Sequence, residues 1–300
     1  MLDYKMTFGE RVFDAVKIVV LVLLGILTLY PFYYFIVLSF NDGMDAMKGG
    51  VYFWPRVFTL ANYQRVFESP NIVSAFQVSV FTTVAGTFMS VMLTACAAFA
   101  FTKRDLPGRS LIVFMFYFAT LFGGGLIPYY ILLKNIHLLN NIWIYILPGL
   151  YSFYNIVIMR TFFDGIPESI AESARIDGCN DMIIFFKIYL PLSLPIIATI
   201  SLFAGVGIWN DWFTGTFYIS DSTLKNAAAV LQAILTEVNF QFNEQNQNII
   251  GINQMTRQMS AVTPESLRLT FVVVIVLPIV MVYPFLQKYF IKGILVGSIK

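Results

Sequence analysis

A 300-residue chain that is 58% hydrophobic and only 12% charged is not a water-soluble globule, in which about a quarter of the residues carry charge. Its net charge of +2, with no block of like charge, excludes the basic footprint of a nucleic-acid binder. One histidine and two cysteines, Cys96 and Cys179, leave no material for a histidine-based metal cluster or a disulfide framework.

A bilayer crossing takes ~20 mostly apolar residues. Uncharged runs of about that length or longer recur at Ile18–Phe40, Ile72–Thr102, Ser110–Leu133, Leu138–Met159, Ile188–Asn210 and Leu269–Gln287. Hydrocarbon offers no water to satisfy backbone N–H and C=O groups, so each run is read as a helix. The expected fold is all-α and polytopic, with six transmembrane helices.

The first run, preceded by Arg11 and Lys17, is longer than a signal-peptide core and has no small-x-small cleavage site after it, so it reads as an uncleaved span. A short basic turn, KRDLPGR, closes the second run at Lys103–Arg109. The third run is interrupted at LFGGGLIP, where Gly123–Gly125 and Pro128 break regular helix. That break is read as structural, with a place in the substrate path as the alternative. His137 follows at a helix end and reads as a surface residue.

The fourth run carries Tyr151, Tyr154 and Asn155, the aromatic and amide chemistry that suits a sugar. The fifth ends in GIWNDWF, whose Asn210, Asp211 and Trp212 complete a candidate substrate path, although Asp211 reads first as a helix-end residue. The connection after it, about 211–266, is rich in amides. Ten of the twenty residues from Asn239 to Gln258 are Asn or Gln, which offers donors and acceptors to a hydroxyl-rich ligand or to water.

Orientation follows the distribution of Lys and Arg. With the N-terminus inside, 12 basic residues fall on the inner face and 7 on the outer, which places both termini in the cytoplasm. No span has an ionisable residue at its centre, which counts against an ion-coupled secondary transporter. There is no Gly-Lys dipeptide and hence no Walker A loop, so any ATP is hydrolysed by another chain. A membrane-bound enzyme lacks a histidine–carboxylate or metal constellation.

Between the fourth and fifth runs lies FDGIPESIAESARIDGCNDMIIFFKIYLPLSLP. Pro167 and Glu168 suit the start of a helix. Ile170, Ala174 and Ile176 give it a weakly apolar face, Gly178 permits a left-handed stop, and Asn180 can cap a second helix. Two short helices on the cytoplasmic side, about 164–187, are suited to docking in a groove of a soluble partner.

This stretch resembles the EAA signature of ABC-importer permeases: Glu172, Ser173 and Ala174, three residues, Gly178, nine residues, then Ile188, Leu190 and Pro191. Both spacings agree, and Ser173 replaces an alanine. The resemblance extends over nearly the whole chain. It points to the second permease subunit of maltose-type carbohydrate importers, and among those to complex-oligosaccharide permeases, on LIPYYILL with its preceding glycines, HLLNNIWIYILPG, IMRTFF, GIWNDWF and QKYFIKGILVGSIK.

The resemblance implies a type I ABC importer permease fold, one domain over 1–300, and a multi-pass protein of a bacterial cytoplasmic membrane. It implies a homologous second permease, two ATPase subunits that use the ATP and magnesium, and an extracytoplasmic solute-binding protein, with no cofactor on this chain. Glu172 then faces the ATPase, Gly178 sets the turn, and Pro191 joins the segment to the fifth span. Ser173, Ala174, Asp177, Ile188 and Leu190 complete the coupling set. Asn243, Gln245, Asn246 and Gln247 become candidate contacts with the binding protein. The cargo class suggested is an acidic oligosaccharide such as a pectin or alginate fragment. A non-sugar solute remains open, because the signature reports on the ATPase and not on the cargo.

Overall fold

A computed structural model describes residues 7–68, 70–103, 105–245 and 262–297. Among these the chain is helical apart from its connections, and the only extended pairing is one antiparallel bridge between Asn41 and Phe58. In chain order the helices are α1 (Phe8–Ser39), α2 (Gly43–Met47), α3 (Ala61–Glu68), α4 (Pro70–Thr102), α5 (Arg109–Leu121) and α6 (Leu126–Asn135). After the 3-10 turns Ile142–Tyr145 and Leu147–Leu150 come α7 (Phe153–Asp164), α8 (Glu168–Ile176) and α9 (Asp181–Ile184). A π-helical turn, Phe185–Tyr189, leads to α10 (Leu190–Leu192), α11 (Leu194–Trp209), α12 (Trp212–Phe217), α13 (Ala227–Gln245) and α14 (Pro264–Gly297).

Four helical stretches are long and apolar enough to cross a membrane: Phe8–Ser39, Asn71–Thr102, Leu194–Phe217 and Pro264–Val282. Two bent pairs raise the number to as many as six if each pair is one span. The α5–α6 pair turns by 117° at the Gly123–Gly125 break, and Gly125 supplies the left-handed backbone there with φ +80°. The second bend, 51° between Ile142–Leu150 and α7, falls inside the run read as continuous from Leu138 to Met159. Pro148 cannot donate to a helix ladder, and Ser152 starts α7 afresh by accepting from the Asn155 N–H at 3.4 Å.

The described residues fall into two compact units, those within 1–69 and 235–276, and those within 70–234 and 277–300. The core of the first is polar as well as apolar. Asn62, fully buried, donates to the carbonyls of Ser39 and Asn41 at 3.0 and 2.9 Å and accepts from the Ser266 hydroxyl at 3.0 Å. A buried amide bonded on both sides avoids the cost of stranding polar groups and ties the end of α1 to α3 and the start of α14.

In the second unit α4 packs on α11 through small residues, which let helix backbones approach. A Cβ on Gly86 would lie 2.7 Å from Ile208 Cδ1, and one on Gly205 would lie 3.2 Å from Thr87 Oγ1. The stretch from Asp211, expected as a long loop, is helical in α12 and again through α13 to Gln245. Its part around 224–227 is bonded into the second unit. The Tyr145 hydroxyl donates to the Leu224 carbonyl and accepts from the Asn226 N–H, both at 3.2 Å, while the Ala227 N–H donates to Ser79 on α4 at 2.9 Å.

Candidate functional site

α8 begins after Pro167, with the Glu168 carboxylate in its first turn, where the helix dipole favours negative charge. Its packed face is made of alanines. Ala171 is buried and Ala174 half-buried against a core that includes Phe163, Ile184, Phe185 and Tyr189. Of the weakly apolar face formed by Ile170, Ala174 and Ile176, Ala174 packs inward while Ile170 is exposed and Ile176 is 86% exposed. Small side chains let α8 sit close to the core, which turns the isoleucines outward together with Glu172 and Ser173.

The stop after α8 is a Schellman motif: the Cys179 N–H donates to the Ala174 carbonyl at 2.9 Å and the Gly178 N–H to that of Arg175 at 3.0 Å. Gly178 takes φ +84°, a left-handed conformation that disfavours side chains. Asp177, exposed, is the last residue before it. Asn180 then accepts from the Ile183 N–H at 2.9 Å and starts α9. The glycine stop and asparagine cap thus stand where the spacing places them.

Asp181 joins this helix pair to α4. Its Oδ1 accepts from Lys103 Nζ at 2.6 Å and lies 3.5 Å from Arg175 Nη2 of α8. Lys103 also sits over the Phe99 ring at 4.6 Å, and that ring packs on Phe185 and Tyr189 at 5.2 and 4.9 Å. The hydrogen bond from Lys103 is the main cause that holds the Asp181 carboxyl below its ordinary value; burial opposes it, and the charges of Lys103 and Arg175 add to the lowering.

From α9 the segment runs on through the π-turn, in which the Leu190 N–H bonds to the Phe185 carbonyl. Wide turns of this kind accommodate a local disruption of the ladder, and Pro191, with no N–H to give, follows at once. Ile188 and Leu190 are half-buried and Pro191 is exposed. Ser193, fully buried, separates α10 from α11, and Pro195 lies in the first turn of α11. A displacement of α8 and α9 thus has two routes: along the chain into α11, and through Asp181 into α4.

The candidate path residues gather at two breaks in helix, Tyr151 before α7 with Tyr154 and Asn155 in its first turn, and Asn210 and Asp211 between α11 and α12 with Trp212 the first residue of α12. Tyr151 donates its hydroxyl to the Phe116 carbonyl and meets the Phe116 ring edge-on at 5.4 Å. Tyr154 is 68% exposed, and Asn155 is buried. Asn210 ends α11, Asp211 caps α12 by accepting from the Thr214 N–H at 3.0 Å, and Trp212 stacks edge-on with Phe213 at 5.9 Å. No hydrogen bond or ring contact among the described residues joins the two sets. Asn243 and Gln245 fall within the range of α13, while Asn246 and Gln247 lie outside the described residues. Among the described residues no cluster of His, Cys, Asp or Glu is placed to hold a metal ion.

Sequence reasoning missed Lys103 and Asp181. Lys103 stands out in the basic turn and Asp181 beside a cap, but nothing local pairs two residues 78 positions apart.

Residues 72–296 match a family described as the binding-protein-dependent transport system inner membrane component. Protein LplC of Bacillus subtilis is 39% identical over 294 residues, 98% of this chain and 97% of that one. The polygalacturonan/rhamnogalacturonan transport system permease protein YtcP of the same organism is 37% identical over 294 residues, 97% and 99% of the two chains. The fold is similar to a chain in the crystal structure of a bacterial ABC transporter involved in the import of the acidic polysaccharide alginate, with a TM-score of 0.85 and 26% identity, covering 95% of this chain and 99% of that one.

Proposed function

Because the chain belongs to the family of binding-protein-dependent transport system inner membrane components, we propose a transport cycle in which α8 and α9 receive the stroke of a partner ATPase and pass it to α4 and α11. The chain is the permease subunit of an ABC importer for oligosaccharides, a transport component and not an enzyme. One observation carries the cycle: the exposed Glu172 and Ile176 stand on a helix that a Schellman stop and the Asp181 bridge fix to the rest of its unit. A helix held in this way moves what it is attached to.

In this reading the chain is one permease domain that crosses the bacterial cytoplasmic membrane six times, each bent pair counting as one span, with both termini in the cytoplasm. It pairs with a homologous permease, and two ATPase subunits bind the ATP and magnesium while this chain holds no cofactor. Glu172, Ser173, Asp177 and Gly178 meet the ATPase, Ala174 seats their helix on the core, and Ile188, Leu190 and Pro191 carry the motion into α11. Tyr151, Tyr154, Asn155, Asn210, Asp211 and Trp212 border the sugar path. The amide-rich segment with Asn243, Gln245, Asn246 and Gln247 meets an extracytoplasmic binding protein.

The cargo in this reading is an acidic oligosaccharide of the pectin or alginate kind, which the similarity to a polygalacturonan/rhamnogalacturonan permease and to an alginate importer supports. Affinity purification of the tagged chain from its native membrane, with identification of what accompanies it, tests the assembly. A second permease, an ATPase and a sugar-binding protein are expected, and the binding protein then serves to screen acidic against neutral oligosaccharides. Recovery of the chain alone, active without ATP, contradicts the reading.

A further inference from the structure

Between α2 and α3, the consecutive residues Tyr52, Phe53 and Trp54 form an aromatic tip that is 59%, 64% and 78% exposed. Both stems of the tip are fixed. Val51, before it, is buried with Val37, Leu38 and Leu269. Arg56, after it, donates from Nε to Asp45 Oδ2 at 3.0 Å and from Nη2 to the carbonyls of Asp45 and Gly49 at 3.1 and 2.7 Å. The Val57 N–H donates to Asn41 Oδ1 at 3.0 Å, and the Asp42 N–H returns to the Val57 carbonyl at 2.9 Å. The three rings are therefore held outward by the fold.

Their direction is set by α1. The Tyr33 hydroxyl donates to the Phe53 carbonyl, and the Tyr30 ring lies 6.1 Å from that of Phe53. Tyr33 stands six residues before Ser39, the end of α1, which is about 9 Å at the rise of an α-helix. The tip thus folds back along the flank of α1 instead of extending past its end. That helix is uncharged from Ile18 onward, and it exposes Leu27 (72%), Leu29 (68%) and Phe32 (53%).

We propose that Tyr52, Phe53 and Trp54 are an interfacial anchor seated in lipid, at the headgroup–acyl boundary beside α1. The Tyr52 and Trp54 rings, which carry a polar edge, suit that boundary, Phe53 adds apolar area, and the tip is continuous with the apolar flank of the helix it folds along. Arg56 and Lys48, at its base, lie on the side toward the end of α1, where headgroup phosphates would be. Such an anchor fixes the depth of α1 and of the buried Asn62 network at its end. The proposal rests on the reading of α1 as a bilayer span.

The test uses the full chain, purified with the subunits that remain bound and reconstituted in nanodiscs with lipids brominated either near the headgroup end or near the end of the acyl chain. The chain has four tryptophans, so the Trp54 signal is read as the difference from Trp54→Phe. A Leu27→Trp variant of that background reports on α1. The expected result is loss of the Trp54 signal, greater with bromine near the headgroup, and loss of the Leu27→Trp signal with deep bromine. A Trp54 signal quenched by aqueous acrylamide and by neither lipid overturns the anchor. So does a signal shielded from both in the assembly but not in the isolated chain, because protein then covers the tip. If the Leu27→Trp signal is untouched by deep bromine, it is the span reading of α1 that fails.

Discussion

Lys103, just beyond the end of α4, donates to Asp181, in the first turn of α9, at 2.6 Å across 78 residues of sequence. The same carboxylate oxygen lies 3.5 Å from Arg175 of α8, so one acidic group joins three elements. Exposed ion pairs contribute only ~0.2–1 kcal/mol each to stability. The value of this one lies in where it holds α4. Asp181→Asn is expected to lower thermal stability only slightly, by the ~0.2–1 kcal/mol of such a pair, and to lower the sugar transported per ATP hydrolysed. Exchanging the charges, Lys103→Asp with Asp181→Lys, is expected to restore part of the coupling, and the check is the transport-to-hydrolysis ratio of the reconstituted complex.

The Asp181 bridge also fixes a pH dependence. The folded pKa is lowered, so the contribution to stability is fully present above the unfolded value of ~3.9 and is lost as pH falls through the lower folded value. The difference in melting temperature between the parent and Asp181→Asn should be constant through neutral and weakly acid conditions and disappear only below about pH 4. A difference that disappears near neutrality would implicate another group.

At Gly178 the backbone and not the space is limiting, since a Cβ there would meet nothing within 4 Å while φ is +84°. Left-handed backbone costs an ordinary L-residue ~1–2 kcal/mol, and less for Asn. Gly178→Val should uncouple ATP hydrolysis from uptake with the complex still assembled, and Gly178→Asn should fall between it and the parent. Equal uptake in all three would remove the turn from the coupling route.

Gly215 presents the opposite case. A Cβ there would lie 2.6 Å from Ala229 Cβ and 2.7 Å from both Asn226 Oδ1 and the Tyr145 hydroxyl, whereas Gly207 has open space. Gly215→Ala should destabilise by about 1–3 kcal/mol as an overpacked site. Gly207→Ala, inside α11, should be neutral or stabilising by up to about 1 kcal/mol. Thermal unfolding in detergent compares the two.

The parts of the fold that were legible in the sequence are those that local chemistry specifies. The apolar runs locate the long helices, Gly123–Gly125 locate one bend, and Gly178 with Asn180 locate the turn between α8 and α9. The bend before α7 was hidden because Pro148 and Gly149 sit within unbroken apolar sequence. The face by which α8 packs is not legible locally, because close approach to the core selects the small Ala171 and Ala174 while the more apolar Ile170 and Ile176 stay exposed. Lys103–Asp181 and Asn62–Ser266 unite residues far apart in sequence, and only the folded chain brings such pairs together.

The most direct measurement of the central claim is uptake of a labelled acidic oligosaccharide by proteoliposomes that contain the chain, its copurifying subunits and the binding protein, with ATP supplied on the ATPase side. The account predicts uptake that requires hydrolysable ATP and that falls in Gly178→Val while hydrolysis continues. Uptake driven by an ion gradient without ATP, or full uptake by Gly178→Val, would contradict it.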